Sequence, residues 1–304
     1  MYTIIVSKEL KEACPVFAGA AIYAEVKNTS YCEGLWEEIQ SFTEMLTATT
    51  RLEDIKKQPV IAATREAYKR CGKDPGRYRP SAEALRRRLM RGIALYQIDT
   101  LVDLINLVSL QTGHSIGGFD ADKIAGTGLE LGIGKINEPF EGIGRGVLNI
   151  EGLPVYRDAV GGIGTPTSDN ERTKMGLETT HILAIVNGYN GKEGLQEAAE
   201  MIQTLLKNTL TRTEEQLLTL NNEYPHEKHI HFTDFICMLF VCQHIGQGTE
   251  QIFGYGGQSC PGGYTGTFFQ GELCHAGSEV PVTELLFPFA GGQSHFGLWN
   301  TWRP

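Results

Sequence analysis

The chain has 304 residues, 41% hydrophobic and 21% charged, with a formal charge of −9. That length supplies a substantial core and exceeds one minimal domain, while the acidic balance argues against wholesale coating of nucleic acid. No run nears the ~20 apolar residues of a membrane span, the N-terminus lacks a basic-then-apolar signal pattern, and seven scattered cysteines read as reduced thiols, so a cytoplasmic location is expected.

Taken in chain order, Tyr2 to Val6 and Val16 to Val26 read as strands separated by a helical or turn segment at Lys8 to Cys14. Leu35, Ile39, Phe42 and Leu46 fall at helical steps. Pro59 opens a helix to about Arg70, ended by Gly72 and the Asp74-Pro75-Gly76 turn. A helix follows with Ser81 as the expected N-cap and Glu83 in its first turn, carrying Arg86, Arg87, Arg88 and Arg91 before Gly92 stops it.

Charge is concentrated here. From Arg65 to Arg91 ten basic residues stand against three acidic ones, whereas residues 1–64, 92–210 and 211–304 are net −3, −7 and −6. Such a segment either attracts phosphates locally or is a solvated helix face.

Thr100 to Thr112 is a strongly apolar helix with Asp103, Asn106 and Ser109 along one line. Polar groups on an apolar helix need partners, from neighbouring backbone or from a ligand in a cavity. From Gly113 to Gly164 glycines alternate with short strands at Leu129 to Ile133, Val147 to Ile150 and Val155 to Tyr156, which suggests a small, strongly bent sheet. His181 to Val186 reads as a buried strand, and Leu195, Ala199, Ile202 and Leu206 define a helix. Without a regular βαβ rhythm the fold class is α+β, a mixed sheet with packed helices.

The last third differs in kind. Four of seven Cys and six of eight His lie beyond residue 210, with no sustained period from Gly246 onward, so a boundary is placed there: residues 1–210 form one domain and 211–304 an irregular extension. That extension reads as a fused small domain or as sequence from a shifted reading frame. His226, His229, His231, Cys237, Cys242, His244, Cys260, Cys274 and His275 are metal-like in type, but lack the paired spacing of a zinc site, and no metal is assigned.

Other templates fail. There is no P-loop and no GxSxG elbow; Gly142-Ile143-Gly144-Arg145-Gly146 lacks the last spaced glycine of a dinucleotide loop; only His114 and His181 precede residue 211. No cofactor is expected.

Three blocks carry a family likeness: Arg65-Glu66-Ala67-Tyr68-Lys69 through Gly72-Lys73-Asp74-Pro75 to Arg79-Pro80-Ser81-Ala82-Glu83-Ala84-Leu85-Arg86-Arg87-Arg88; Leu101 to Ser109 with Gly117-Gly118-Phe119-Asp120-Ala121-Asp122-Lys123-Ile124; and Gly164 to Thr173. Their order and spacing resemble the free-standing B3/B4 proteins, relatives of the editing module in the beta subunit of phenylalanyl-tRNA synthetase. The resemblance covers about residues 1–210. It implies an α+β domain enclosing a pocket between its helices and a mixed sheet, where a mischarged aminoacyl ester is hydrolysed. On the matching positions it implies Asp103, Asn106, Gly161 and Gly162 as catalytic, with Ser109, Gly117, Gly118, Asp120, Ser168, Asp169 and Arg172 as substrate contacts. The family's motif histidine falls at Gly117; the position of its hydroxyl-reading glutamate is Ala184, with Glu178 nearby. Arg65, Lys69, Arg79, Arg86, Arg87, Arg88 and Arg91 become RNA contacts.

The expected partner is therefore tRNA or aminoacyl-tRNA, with neither DNA nor membrane. The expected activity is RNA binding with deacylation in trans, not ligation. The alternatives are a non-catalytic RNA-binding module and a binder of an amino-acid-like small molecule.

Overall fold

The computed structural model describes residues 2–210, 212–221, 240–242 and 251–253. Two units are distinguished, Met1–His226 and Glu227–Pro304.

In the first unit the chain runs β1 (Thr3–Val6), α1 (Lys8–Ala13), β2 (Ala18–Val26), α2 (Glu33–Thr49), α3 (Pro59–Arg70), α4 (Ser81–Leu89) and α5 (Thr100–Thr112). It continues through β3 (Ser115–Asp120), β4 (Gly128–Ile133), β5 (Glu141–Gly142), β6 (Gly146–Val147), β7 (Pro154–Arg157), β8 (Gly162–Thr165) and β9 (Ser168–Asp169). It closes with β10 (His181–Gly188), α6 (Leu195–Thr209) and β11 (Arg212–Asn221). In the second unit β12 (Phe240–Cys242) pairs antiparallel with β13 (Gln251–Phe253). Of the metal-like histidines and cysteines of the extension, Cys242 ends β12 and the others lie outside the described residues, as do the side chains of all residues past 210.

Local chemistry sets the helix boundaries. α3 starts with Pro59 in its first turn, and the Gln58 carboxamide oxygen accepts the Ile61 N–H at 3.0 Å. α5 is capped by Asp99, whose carboxylate accepts the Val102 N–H, and stops at Gly113, whose φ of +82° is a left-handed conformation that glycine adopts without steric cost. α4 differs from expectation: Pro80 is the cap residue and makes no side-chain cap bond, while the Ser81 N–H donates to the Pro166 carbonyl at 2.7 Å. Proline supplies the extended entry angle, and Ser81 becomes the first helical residue.

Two larger sheets build the first unit, beside the two-stranded β5–β6 pair. The four-stranded sheet, ordered β11-β2-β10-β3, is antiparallel throughout, with Ala184 of β10 opposite Gly118 of β3. The five-stranded sheet, ordered β1-β4-β7-β8-β9, is mixed because β1 runs parallel to β4, Thr3 opposite Gly128. Strand periodicity assigns the faces of the first sheet. Ala20, Ile22, Ala24 and Val26 pack with α2, α5 and α6, while Ala21, Leu183 and Ile185 pack with Leu129, Leu131, Tyr156 and Ile163 of the second sheet. A central sheet thus carries helices on one face and a second sheet on the other, the α+β arrangement expected. β6 is shorter than the Val147 to Ile150 expectation, because Leu148 turns to bond Phe140 and Ile150 enters a small core.

The first unit continues past residue 210. After α6 the chain runs back as β11 beside β2, so the edge of the four-stranded sheet is formed by residues beyond that point.

Candidate functional site

The polar line of α5 resolves into different roles. Asp103 is buried, and its carboxylate accepts the Trp36 indole N–H at 2.7 Å and the Ile98 N–H at 3.2 Å. Burial raises its pKa above the ordinary carboxylate value. Asp103 therefore holds α2 and the segment leading into α5 together. Ser109 is buried. Asn106 is half-buried, and its carboxamide makes no hydrogen bond among the described residues.

The expected convergence of Asp103 and Asn106 with Gly161 and Gly162 does not occur. α5 packs on the helix-covered face of the four-stranded sheet, whereas Gly162 lies in β8 of the other sheet, against Phe140, and Gly161 sits in the turn before it, donating its N–H to Asp158. The room expected beside the glycine pair of β3 is also filled. A Cβ on Gly118 would stand 2.6 Å from the Met175 methyl and 3.6 Å from Ile105, and one on Gly117 would meet the Phe119 ring at 2.7 Å.

What β3 does gather is Asp169. Gly118 donates its N–H to the Asp169 carboxylate at 3.1 Å, and Gly117 and Gly164 lie against the same carboxylate, where a Cβ on Gly164 would come within 2.7 Å. Asp169 is half-buried and has one hydrogen-bond donor, and desolvation pushes its carboxyl up to about 7. Ser168, beside it, turns its hydroxyl to the Asp169 backbone carbonyl. Asp120 is buried and accepts from Thr179 at 2.9 Å and Lys123 at 3.0 Å. Arg172 is committed to Asp158 through both terminal nitrogens at 2.8 and 2.9 Å, and Asp158 is held well ionised. Glu178 pairs with Lys123 at the surface, and Ala184 is buried in the core. His114 bonds the Asn187 carbonyl and is kept neutral by burial, and His181 pairs with Asp122. The same His181 nitrogen lies 3.2 Å from the Thr180 hydroxyl, which itself donates to Asp122 at 2.7 Å.

The basic segment divides in two. Arg65 and Arg87 both bind the fully buried Glu83, at 2.8 and 2.7 Å. Arg86 is buried and donates to the Leu110 carbonyl at 2.9 and 2.6 Å and to Gln111 at 3.2 Å, closing the C-terminal end of α5. Lys69 pairs with Glu66. Arg65, Arg86, Arg87 and Lys69, expected as RNA contacts, are thus engaged within the chain.

The remainder face outward. Arg77, Arg79, Arg88, Arg91 and Arg145, together with the Glu83-bound Arg87, line one cleft of about 230 Å³. Arg88 donates to the Ala94 carbonyl and lies 3.9 Å over the ring of the exposed Tyr96. Arg77, Arg79, Arg91 and Arg145 have no carboxylate partner among the described residues.

Arg77 and Arg145 were not among the expected contacts. Arg145 sits between Gly144 and Gly146, at φ +65° and +68°, in the turn joining β5 to β6, so the glycine-rich run is a hairpin presenting one arginine. That hairpin is bound to β9 by the Ile143 N–H, which donates to the Asp169 carbonyl at 3.0 Å. A lone arginine flanked by glycines in an acidic stretch was the available signal.

A two-layer array of sheets with helices on one face defines the class, an α+β domain, and an arginine-lined cleft opens on its surface. Residues 63–207 match the B3/4 domain family. An N-terminal fragment of the phenylalanyl-tRNA synthetase beta subunit from Pyrococcus horikoshii is similar at 14% identity and a TM-score of 0.39, over 80% of this chain and 57% of that one. This chain therefore spans little more than half of that fragment. No curated protein matches. Among the described residues no helix is long and apolar enough to cross a membrane.

Proposed function

We propose that the chain binds the phosphate backbone of tRNA in the arginine cleft. The observation that carries this reading is the convergence of Arg77, Arg79, Arg91 and Arg145, without carboxylate partners among the described residues, on one opening of an otherwise acidic protein. Like charges held together are unfavourable unless an anion joins them. Four arginines match several phosphates better than one carboxylate, since the guanidinium fork binds phosphate oxygens in pairs. Tyr96, exposed beside Arg88, offers a face on which an unpaired base can stack. The B3/4 domain and the three sequence blocks that resemble the synthetase editing module support tRNA as the class of RNA.

The test is binding of labelled tRNA across a salt series. Affinity should fall steeply with salt, and Arg91→Ala and Arg145→Ala should each reduce the slope of log K against log salt by about 1. Absence of binding at low salt, or an unchanged slope in both variants, overturns the reading.

A second reading, deacylation of mischarged tRNA in trans, is favoured by Asp169. A carboxyl group poised near neutrality is suited to take a proton from an attacking water. Incubation with a panel of mischarged tRNAs should then release at least one amino acid, with loss of turnover in Asp169→Asn. Survival of every ester removes this reading and leaves the binding module.

A further inference from the structure

The arginine cleft has an apolar rim that its charge does not explain. The segment joining α4 to α5 carries three exposed large apolar side chains, Ile93, Tyr96 and Ile98. Ile93 lines the cleft, and Tyr96 is 67% exposed. The segment is nonetheless held in place. Leu95 packs on the cluster of Leu46, Leu89 and Leu110, the Ile93 N–H donates to the Arg88 carbonyl at 3.2 Å, and the Ile98 N–H donates to Asp103 at 3.2 Å. Arg88 joins cleft and ring: it lines the one, donates to the Ala94 carbonyl at 2.6 Å, and lies 3.9 Å over the other. One face of Tyr96 is therefore covered by a guanidinium and the other is open. We propose that the cleft and this segment together take single-stranded RNA in preference to duplex, with one unpaired base stacked on the open face of Tyr96.

This rests on the reading of the cleft as a phosphate site and adds the form of nucleic acid that fits it. Water solvates arginine well and a tyrosine face or an isoleucine poorly, so binding gains from covering this rim only if the ligand brings apolar surface. A duplex has little to offer along its length, because its bases are stacked inside and its outer surface is phosphate and sugar. An unpaired strand offers both phosphates and splayed bases. Because Arg88 borders the cleft and the ring alike, the phosphate and base positions are adjacent, as they are within one nucleotide. The guanidinium on one side of the ring and the base on the other make a three-layer stack. Such a stack reads no base edge, so the selection is for strand form and not for sequence. An anionic membrane would also pair arginines with apolar side chains, but it presents a plane, whereas these arginines line a concavity.

The experiment titrates the full chain with a labelled, unstructured oligoribonucleotide and with a duplex of the same sequence. The single strand should bind more tightly. Tyr96→Ala should weaken its binding by about 5- to 100-fold, the worth of one base stacked on an aromatic ring, with the salt slope unchanged. Tyr96→Phe, which keeps the ring and loses the hydroxyl, should bind as the wild type does, and duplex affinity should respond to neither change. Tyr96 is exposed, so the thermal midpoint should stay where it is and separate lost stacking from lost fold. Equal affinity for the two probes, or a single-strand affinity untouched by Tyr96→Ala, overturns this inference and leaves the phosphate reading standing. Absence of binding by both probes overturns the two together. Tyr96-dependent binding of phosphatidylserine vesicles in place of the oligonucleotide assigns the segment to a membrane surface and also overturns it.

Discussion

Arg86 and Arg91 lie five positions apart in one basic helix-and-turn, yet the structure gives them opposite work. Arg86 is buried against the last carbonyls of α5, whereas Arg91 is exposed in the cleft. Arg86→Ala should lower stability by about 2–3 kcal/mol, the range for charge-assisted hydrogen bonds, and leave tRNA affinity of the folded protein unchanged. Arg91→Ala should do the reverse, and paired thermal melts and binding titrations separate the two. Composition showed that this segment is basic but could not show that Arg86 is used internally, because its partner, Leu110, is supplied by an element outside the segment. Asp169 allows a prediction of pH dependence. Its folded pKa, pushed up from 3.8 to about 7, means that the native state favours the protonated form. Its stabilising contribution is therefore present below about pH 4 and lost as pH rises through about 7, amounting at most to roughly 4 kcal/mol. Asp169→Asn should flatten the thermal midpoint over that window, and an unchanged profile would show that the carboxylate stays ionised.

At the scale of elements, α5 was the most legible part of the chain and its polar line the least. The boundaries Thr100–Thr112 follow from Asp99 and Gly113, local signals that no distant contact overrides. What Asp103 faces depends instead on where Trp36 of α2 comes to lie. Asp103→Ala should cost about 1–3 kcal/mol by leaving two donors unsatisfied, and should lower activity only in proportion to the folded fraction. Loss of binding or turnover at full stability would return Asp103 to the site. The β5–β6 hairpin was hidden for a related reason. Two-residue strands carry no periodicity, so Arg145 acquires meaning only once the hairpin is bonded to β9.

For the whole molecule, the α+β class was visible in the mixture of helices and strands, but the split into two sheets was not. The parallel pairing of β1 with β4 and the insertion of β2 between β10 and β11 are long-range choices that no local pattern encodes. We propose that residues 1–210 hold the core of the domain, with β11 covering an edge of it. A chain ended after Leu210 should fold but self-associate, because the uncovered edge of β2 offers unpaired backbone groups; one ended after Asn221 should remain monomeric in sedimentation. Equal behaviour of the two would remove β11 from the domain. The central place of β2 also bears on biosynthesis. Its Ala- and Ile-rich stretch leaves the ribosome early, while its first neighbour, β10, is made some 160 residues later. Until then the nascent strand has nothing to pair with. Arrested chains ending before Gly188 should stay protease-sensitive, and yield should depend on how well the cell shields that unfinished sheet during translation.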